Sequence, residues 1–352
     1  MTNQEIPIKK TRYTIYKPDE PLLLESGEII SAPEIAFHTY GELNTDHSNV
    51  IWACHALTAN SDPFEWWPGL FGSGKLFDPE HFFIVCANVI GSCYGSTGPL
   101  SFDPELGRSW YRDFPVITIR DMVNAHEMLR KHLRIERIHT LIGGSLGGFQ
   151  ALEWSITNPD IFQFIILIGC NEKTKPWTIA FNESQRMAIR SDPSFFHDIP
   201  EGGFTGLQSA RAIALLSYRT PDIYNIKHCD DPVYPPFKAA TYQQYQGLKL
   251  ARRFNAYSYM TLTDAMDLHN VFRNRSSDIH PLSAIIARTL CIGIHGDLLF
   301  PTSEVQVMAG WIRGSTYREL ITQYGHDGFL IETDQIRNII KGFYHLKQSN
   351  HE

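Results

Sequence analysis

Hydrophobic and polar positions alternate over the first forty residues, then give way to short unbroken apolar runs separated by helix-period stretches. Tyr13-Thr-Ile-Tyr16 and Ile35-Ala-Phe-His-Thr-Tyr40 alternate aromatic or branched residues with polar ones, with Gly and Asn between the runs. This predicts an antiparallel hairpin or meander within residues 11–40. Val50-Ile-Trp-Ala-Cys54 and the run at 82–87 show no alternation, as expected of strands covered on both faces. A helix-period segment at 122–133, an apolar run at 138–142, a second helix at 146–156 and a second run at 162–168 follow in turn. That succession predicts a mostly parallel sheet with crossover helices on both faces, an α/β fold. A strand at 289–294, a helix at 303–311, a strand at 316–322 and a terminal helix at 329–346 continue it.

Between residues 171 and 281 the strand signal fades and helix-like pieces appear at 182–190, 206–218, 236–242 and 259–268. Their joints are rich in Asp, Pro and Gly, as in Ser191-Asp-Pro-Ser194 and Asp230-Asp-Pro232. An independent helical domain is one reading of this region. The sheet, however, needs residues 289–322 from beyond it, so the expected organisation is a core of residues 1–170 and 282–352 with a helical lid insertion at 171–281.

Composition narrows the function classes. The 352 residues are 43% hydrophobic and 20% charged, and 21 Phe, 15 Tyr and 7 Trp exclude a disordered chain. A net charge of −7 opposes attraction to phosphate backbones, so nucleic acid is not an expected partner. Six cysteines without a CxxC pair are expected to be reduced and mostly buried. Met1 to Lys10 lacks the apolar region of a secretion signal, and apolar stretches such as 162–170 are far shorter than the ~20 residues of a membrane span. A cytoplasmic protein that does not bind membranes is expected.

The chemistry concentrates in Ile142-Gly-Gly-Ser-Leu-Gly-Gly148, where Gly143-x-Ser145-x-Gly147 follows a predicted strand and opens a predicted helix. That is the context of a nucleophile elbow, in which a serine on a sharp turn needs neighbours without side chains and a helix N-terminus to face a developing oxyanion. A plain Gly-rich turn or a phosphate loop is the competing reading, but the Walker lysine and the GxGxxG spacing are both missing. An elbow serine takes its carboxylate and its base from later in the chain. Asp297 follows a predicted strand and His326 sits on the next post-strand loop, while the adjacent His295 and Asp327 compete for the same roles. The loop Ala53-Cys-His-Ala-Leu-Thr-Ala59 is placed to supply a second oxyanion donor, the Leu57 N–H, beside the N–H of Leu146. His55 on this loop invites assignment as a base or metal ligand, but no HExxH or similar set accompanies it.

Over nearly its whole length the chain resembles the homoserine O-acetyltransferase family of methionine biosynthesis, within the α/β-hydrolase superfamily. The resemblance rests on Phe37-His-Thr-Tyr-Gly-Glu-Leu-Asn44, Cys54-His-Ala-Leu-Thr58, Trp66-Trp-Pro-Gly, Asn88-Val-Ile-Gly-Ser-Cys-Tyr-Gly-Ser-Thr-Gly-Pro99, Asp113-Phe-Pro-Val-Ile-Thr-Ile-Arg-Asp121, Gln150-Ala-Leu-Glu-Trp154 and Gly325-His-Asp-Gly-Phe329. It implies a ping-pong transfer: Ser145 takes an acetyl group from acetyl-CoA, with His326 as base and Asp297 orienting it, then passes it to the hydroxyl of L-homoserine. Acetyl-CoA is consumed as a co-substrate, so no bound cofactor or metal is implied, and the family's homodimer is carried over. The resemblance also maps acceptor binding onto Arg211, Tyr218 and Asp327. The chemistry agrees, because a guanidinium suits the carboxylate of a zwitterion and Asp327 suits its ammonium, and positions 211 and 218 share one helix face. Many relatives carry Met where this chain has Leu146, whose role is through the main chain. Transfer of succinyl to homoserine, of acetyl to serine, or hydrolysis of small esters are the alternatives that share this triad.

Overall fold

Residues 12–230, 235–276 and 278–346 are described by the computed structural model, so the polar stretch at 1–10 and part of the Asp230-Asp-Pro232 joint lie outside the described residues. Eight strands form the main sheet: β1 (Arg12–Tyr16), β2 (Ile35–Tyr40), β3 (Val50–Cys54), β4 (Phe83–Ala87), β5 (Ile138–Gly144), β6 (Phe162–Ile168), β7 (Arg288–Ile294) and β8 (Thr316–Leu320). Their spatial order is β1-β2-β4-β3-β5-β6-β7-β8. The expected meander is the antiparallel edge: β1 pairs with β2, Tyr13 opposite His38, and β2 pairs with β4. From β4 to β8 every pairing is parallel.

The unbroken apolar runs are explained by what covers them. Successive side chains of a strand point to opposite faces, and here both faces are packed. Trp52, Cys54, Ile165 and Leu167 join one buried cluster with Leu146, Phe149 and Trp154, while Ile51, Ala53, Ile166 and Ile168 join another with Trp67, Phe329, Ile336 and Ile340. Helices α1 (Ile119–His132) and α2 (Leu146–Thr157) lie on the first face. Thr118 and Asp121 form a capping box that satisfies the first N–H groups of α1.

Between β6 and β7 every named element among the described residues is helical: α3 (Pro176–Arg190), α4 (Phe204–Tyr218), α5 (Pro221–Lys227), α6 (Lys238–Ala251) and α7 (Ala256–Asp267), with a 3₁₀ turn at Pro193–His197 and another at Pro281–Ala284. The two ends of this segment are tied together at its neck. Lys173 bridges Asn270, Thr174 N–H donates to His269 O at 3.1 Å, and Val271 N–H donates to Glu172 O at 3.0 Å. Helix α8 (Thr302–Trp311) joins β7 to β8, and α9 (Thr333–His345) ends the described chain.

Three departures from the sequence pattern have local causes. The terminal helix is not continuous from 329. A separate turn, Gly328–Ile331, ends at Glu332 with φ −83° and ψ 44°, and α9 starts afresh. Helix α5 went unpredicted because it is only seven residues long, although Thr220 caps it and Pro221 opens it. Helix α6 continues to Ala251, well beyond 242. Of the six free cysteines, Cys54, Cys86, Cys170 and Cys291 are buried as expected, while Cys93 is partly exposed and Cys229 exposed.

Candidate active site

Ser145 occupies the turn from β5 into α2 with φ 56° and ψ −126°, a left-handed backbone that L side chains rarely adopt. The turn is held from both sides, since Ser145 N–H donates to Ile168 O at 3.0 Å and Ser145 O accepts from Phe149 N–H at 3.1 Å. The flanking glycines are required by close approach. A Cβ on Gly143 would stand 2.1 Å from Gly147 O, and one on Gly147 would stand 2.1 Å from Cys54 O. Only without those side chains does α2 nestle against both its own strand and the loop after β3. Ser145 therefore sits at a helix N-terminus, where unpaired N–H groups favour negative charge.

Asp297, three residues past β7, and His326, in the Gly325–Asp327 turn after β8, are both buried and meet at 2.6 Å, Oδ2 to Nδ1. Asp297 Oδ1 accepts from the N–H groups of Leu299 and Phe300 at 2.8 and 3.0 Å. A carboxylate acceptor at Nδ1 places the imidazole proton there and leaves Nε2 with a lone pair, which takes no hydrogen bond among the described residues. The ring is walled by Phe300, Phe329 and Tyr218, with centroids at 5.3, 5.4 and 5.8 Å. Burial disfavours the imidazolium, but the charge and hydrogen bond of Asp297, with Asp327 nearby, outweigh it and raise the His326 pKa above the ordinary value. Gly169, the first residue after β6, lies against the pair: its backbone has φ +53°, and a Cβ there would crowd Ile294 Cδ1 at 2.8 Å and touch Asp297 Oδ2 at 3.4 Å and His326 Cε1 at 3.5 Å. Since Ser145 N–H bonds the preceding Ile168 O, the serine turn and the imidazole flank the same two residues of chain.

Two N–H groups near Ser145 remain unspent. Neither Leu57 N–H nor Leu146 N–H donates a hydrogen bond among the described residues. Both residues are buried, one on the loop after β3 and the other opening α2. The competing histidine is elsewhere: His295 has its side chain 64% exposed and bonds Glu319 at the surface, 3.2 Å away. Asp327 does not pair with the His326 Nδ1 that Asp297 holds. Its Oδ2 accepts from Arg219 Nε at 2.8 Å.

Arg211 and Tyr218 do share a face of α4, with the guanidinium carbon 5.5 Å from the ring centroid. Arg211 has no hydrogen bond or ion pair among the described residues. Arg186, by contrast, is buried and ion-paired with Glu183, Asp264 and Asp267. Arg219, beside Tyr218 in sequence, was not singled out from the sequence. An arginine one residue past a helix carries no motif, and only the fold brings it to Asp327. Among the described residues no group of three or more His, Cys, Asp or Glu is placed to hold a metal ion, and no helix is long and apolar enough to cross a membrane.

A strained serine at a helix N-terminus, a buried carboxylate–imidazole pair and two free N–H donors are the parts of an acyl-transfer or ester-cleaving site. Residues 49–333 match the family described as alpha/beta hydrolase fold, and the strand order and crossovers above are those of that class. Homoserine O-acetyltransferase from Cyclobacterium marinum is 47% identical over 94% of each chain. The chain belongs to the homoserine O-acetyltransferase family. The crystal structure of the homoserine O-acetyltransferase from Bacillus anthracis superposes with a TM-score of 0.89 at 23% identity, covering 97% of this chain and all of that one. Esterase E22 gives a TM-score of 0.85 at 22% identity, covering 95% of this chain and all of that one, and shares the fold.

Proposed function

We propose that the protein transfers an acetyl group from acetyl-CoA to the side-chain hydroxyl of L-homoserine, giving O-acetyl-L-homoserine and CoA through an acetyl-serine. The observation that carries this reading is the occurrence together of a buried Asp297–His326 couple, its Nε2 free, and an arginine without a hydrogen bond or ion pair among the described residues, Arg211, on the helical segment beside it. A relative 47% identical over 94% of this chain bears the corresponding name.

In the first half-reaction His326 Nε2 takes the Ser145 hydroxyl proton as the oxygen attacks the thioester carbonyl. The oxyanion faces the Leu57 and Leu146 N–H groups, and the C–S bond breaks with the proton passing to the leaving thiolate. In the second, His326 Nε2 deprotonates the homoserine hydroxyl, which attacks the acetyl-serine, and Ser145 leaves with the proton returned by His326. Arg211 pairs with the substrate carboxylate and Tyr218 lines the same face. Asp327, whose Oδ2 is held by Arg219, offers Oδ1 to the ammonium. The helical segment at 171–281 roofs this site and keeps water from the acetyl-serine. The same reading includes a homodimer working in the cytoplasm, without a metal or a resident cofactor.

The test is thiol release from acetyl-CoA, with succinyl-CoA in parallel, in the presence of homoserine, serine or no acceptor, and with Ser145→Ala as the blank. Release that needs acetyl-CoA, homoserine and Ser145 together is expected. Equal release without an acceptor would make the protein a hydrolase, and preference for succinyl-CoA or serine would reassign donor or acceptor.

A further inference from the structure

The mechanism leaves unused a chain of buried side chains behind the oxyanion donors. His55, His126 and Gln150 are all buried to 1% exposure or less. Val89 N–H donates to His55 Nε2 at 3.0 Å. A backbone N–H is only a donor, so Nε2 carries the lone pair, the proton is on Nδ1, and Nδ1–H donates to Ala56 O, 2.9 Å away. Ala56 O belongs to the peptide whose other end is the Leu57 N–H. Ala56 O also accepts from Ala59 N–H at 3.0 Å, and because the C=O and N–H of a planar trans peptide point in opposite directions, the two donors that fix the oxygen together aim the N–H. The preceding peptide is fixed as well. Gln150 Nε2 donates to His55 O and to Leu146 O, 3.1 Å each, and Gln150 Oε1 faces His126 Nε2 at 3.0 Å. One side-chain amide thus ties the loop after β3 to the first residue of α2, the two segments that carry the free N–H groups.

We infer that His55 and Gln150 are positioning residues of the oxyanion hole: His55 aims the Leu57 N–H through the Ala56 carbonyl, and Gln150 sets its spacing from the Leu146 N–H. This rests on the acyl-transfer reading above and adds the device that holds its donors in place. Burial also lowers the pKa of His55 to about 4, so the ring stays neutral and keeps this tautomer across the working range. With both ring nitrogens bonded to backbone groups, His55 is not placed to act as a base or a metal ligand.

Two substitutions separate the ring nitrogens, because an asparagine amide reaches the place of Nδ1 and a glutamine amide the place of Nε2. His55→Asn keeps the donor to Ala56 O, whereas His55→Gln keeps only the partner of Val89 N–H. The readout is the burst of p-nitrophenolate from p-nitrophenyl acetate, which reports acetylation of Ser145 without homoserine. Misaiming one oxyanion donor is expected to slow the burst in His55→Gln by roughly 100-fold, against under ~10-fold in His55→Asn, with the ester KM within about 3-fold of wild type in both. Gln150→Met, which keeps the shape and removes both donations, is expected to slow the burst by roughly 10-fold with KM again unchanged. Equal rates in the two His55 variants, a faster His55→Gln, or losses that appear in KM instead of the burst rate would overturn the inference. If both His55 variants fail to fold, Gln150→Met decides, and a wild-type burst in it overturns the inference. A wild-type protein with no Ser145-dependent burst would remove the acyl-transfer reading itself, and the inference with it.

Discussion

Asp297 directs both carboxylate oxygens at fixed protein donors, two backbone N–H groups and His326, while Arg211 on α4 has the face of Tyr218 against its guanidinium and no hydrogen bond or ion pair among the described residues. The first lies on a loop at the carboxyl edge of the sheet and the second on the helical segment between β6 and β7. Groups at the sheet edge are held by the protein before any substrate arrives, which suits proton transfer, where small misplacements are expensive. The arginine keeps its donors unspent, which suits recognition of a partner supplied from outside. On the proposed reading, chemistry and selectivity are thus held by different parts of the chain and under different degrees of constraint.

The sharpest way to break this contrast is at its most constrained point. Asp297→Asn presents an amide N–H₂ or a neutral oxygen to Nδ1 and loses the charge that favours the correct tautomer, so acetylation of Ser145 is expected to fall by about 10³- to 10⁴-fold. The pH profile tests the same contact. His326 must be neutral to act as a base, and its pKa is raised, so the wild-type rate falls as pH drops through a value above the ordinary imidazole range. Removing the Asp297 charge moves that acid limb to lower pH. For stability the sign is opposite to that of a buried carboxylate: the contribution of the pair is complete below the ordinary imidazole pKa and is lost as pH rises through the raised one.

On the open side of the comparison, Arg211→Ala is expected to raise the KM for homoserine by roughly 10- to 100-fold, the range of one charged hydrogen-bonding partner, and to leave the p-nitrophenyl acetate burst intact. Steady-state and burst kinetics on one preparation check both halves. Equal loss in both would show that the helical segment also shapes the chemistry. The smallest effect belongs to neither region. Gly342 lies within α9 with nothing inside 4 Å of where a Cβ would be, so Gly342→Ala should stabilise the fold by roughly 0.5–1 kcal/mol in thermal or denaturant unfolding and leave both rates unchanged.

What could be read from the sequence follows the same division. The strands from β3 to β7 are legible because each is covered on both faces and is mainly apolar, although His139 and Thr140 interrupt β5, and Ser145 is marked by glycines that steric contact requires. Asp297 and His326 were found by chain order and by their position just past strands. The Arg219–Asp327 pair is not found this way, since 108 residues separate its members and nothing local marks Arg219. The roles of His55 and Gln150 were equally hidden. Their residue types fit many environments, and only the direction of the Val89 N–H decides which nitrogen of His55 carries the proton. The break at Glu332 escaped notice because the apolar spacing on either side of it remains compatible with one helix.

The closed neck of the helical segment makes it an exchangeable cassette. Because Glu172, Lys173 and Thr174 are hydrogen-bonded or bridged to His269, Asn270 and Val271, the segment leaves and rejoins the core at almost one point, and its ends stay together whatever lies between them. A graft from a relative with another acceptor would meet the core cleanly at 172–174 and 269–271. A junction a few residues earlier would disturb Gly169, whose positive φ and 2.8 Å approach to Ile294 Cδ1 tolerate no side chain beside Asp297 and His326. Such a graft would still have to supply the partners that Arg219 gives Asp327 and Arg253 gives Thr58 O, so the neck fixes where the segment joins and these two arginines fix what it must carry to the site.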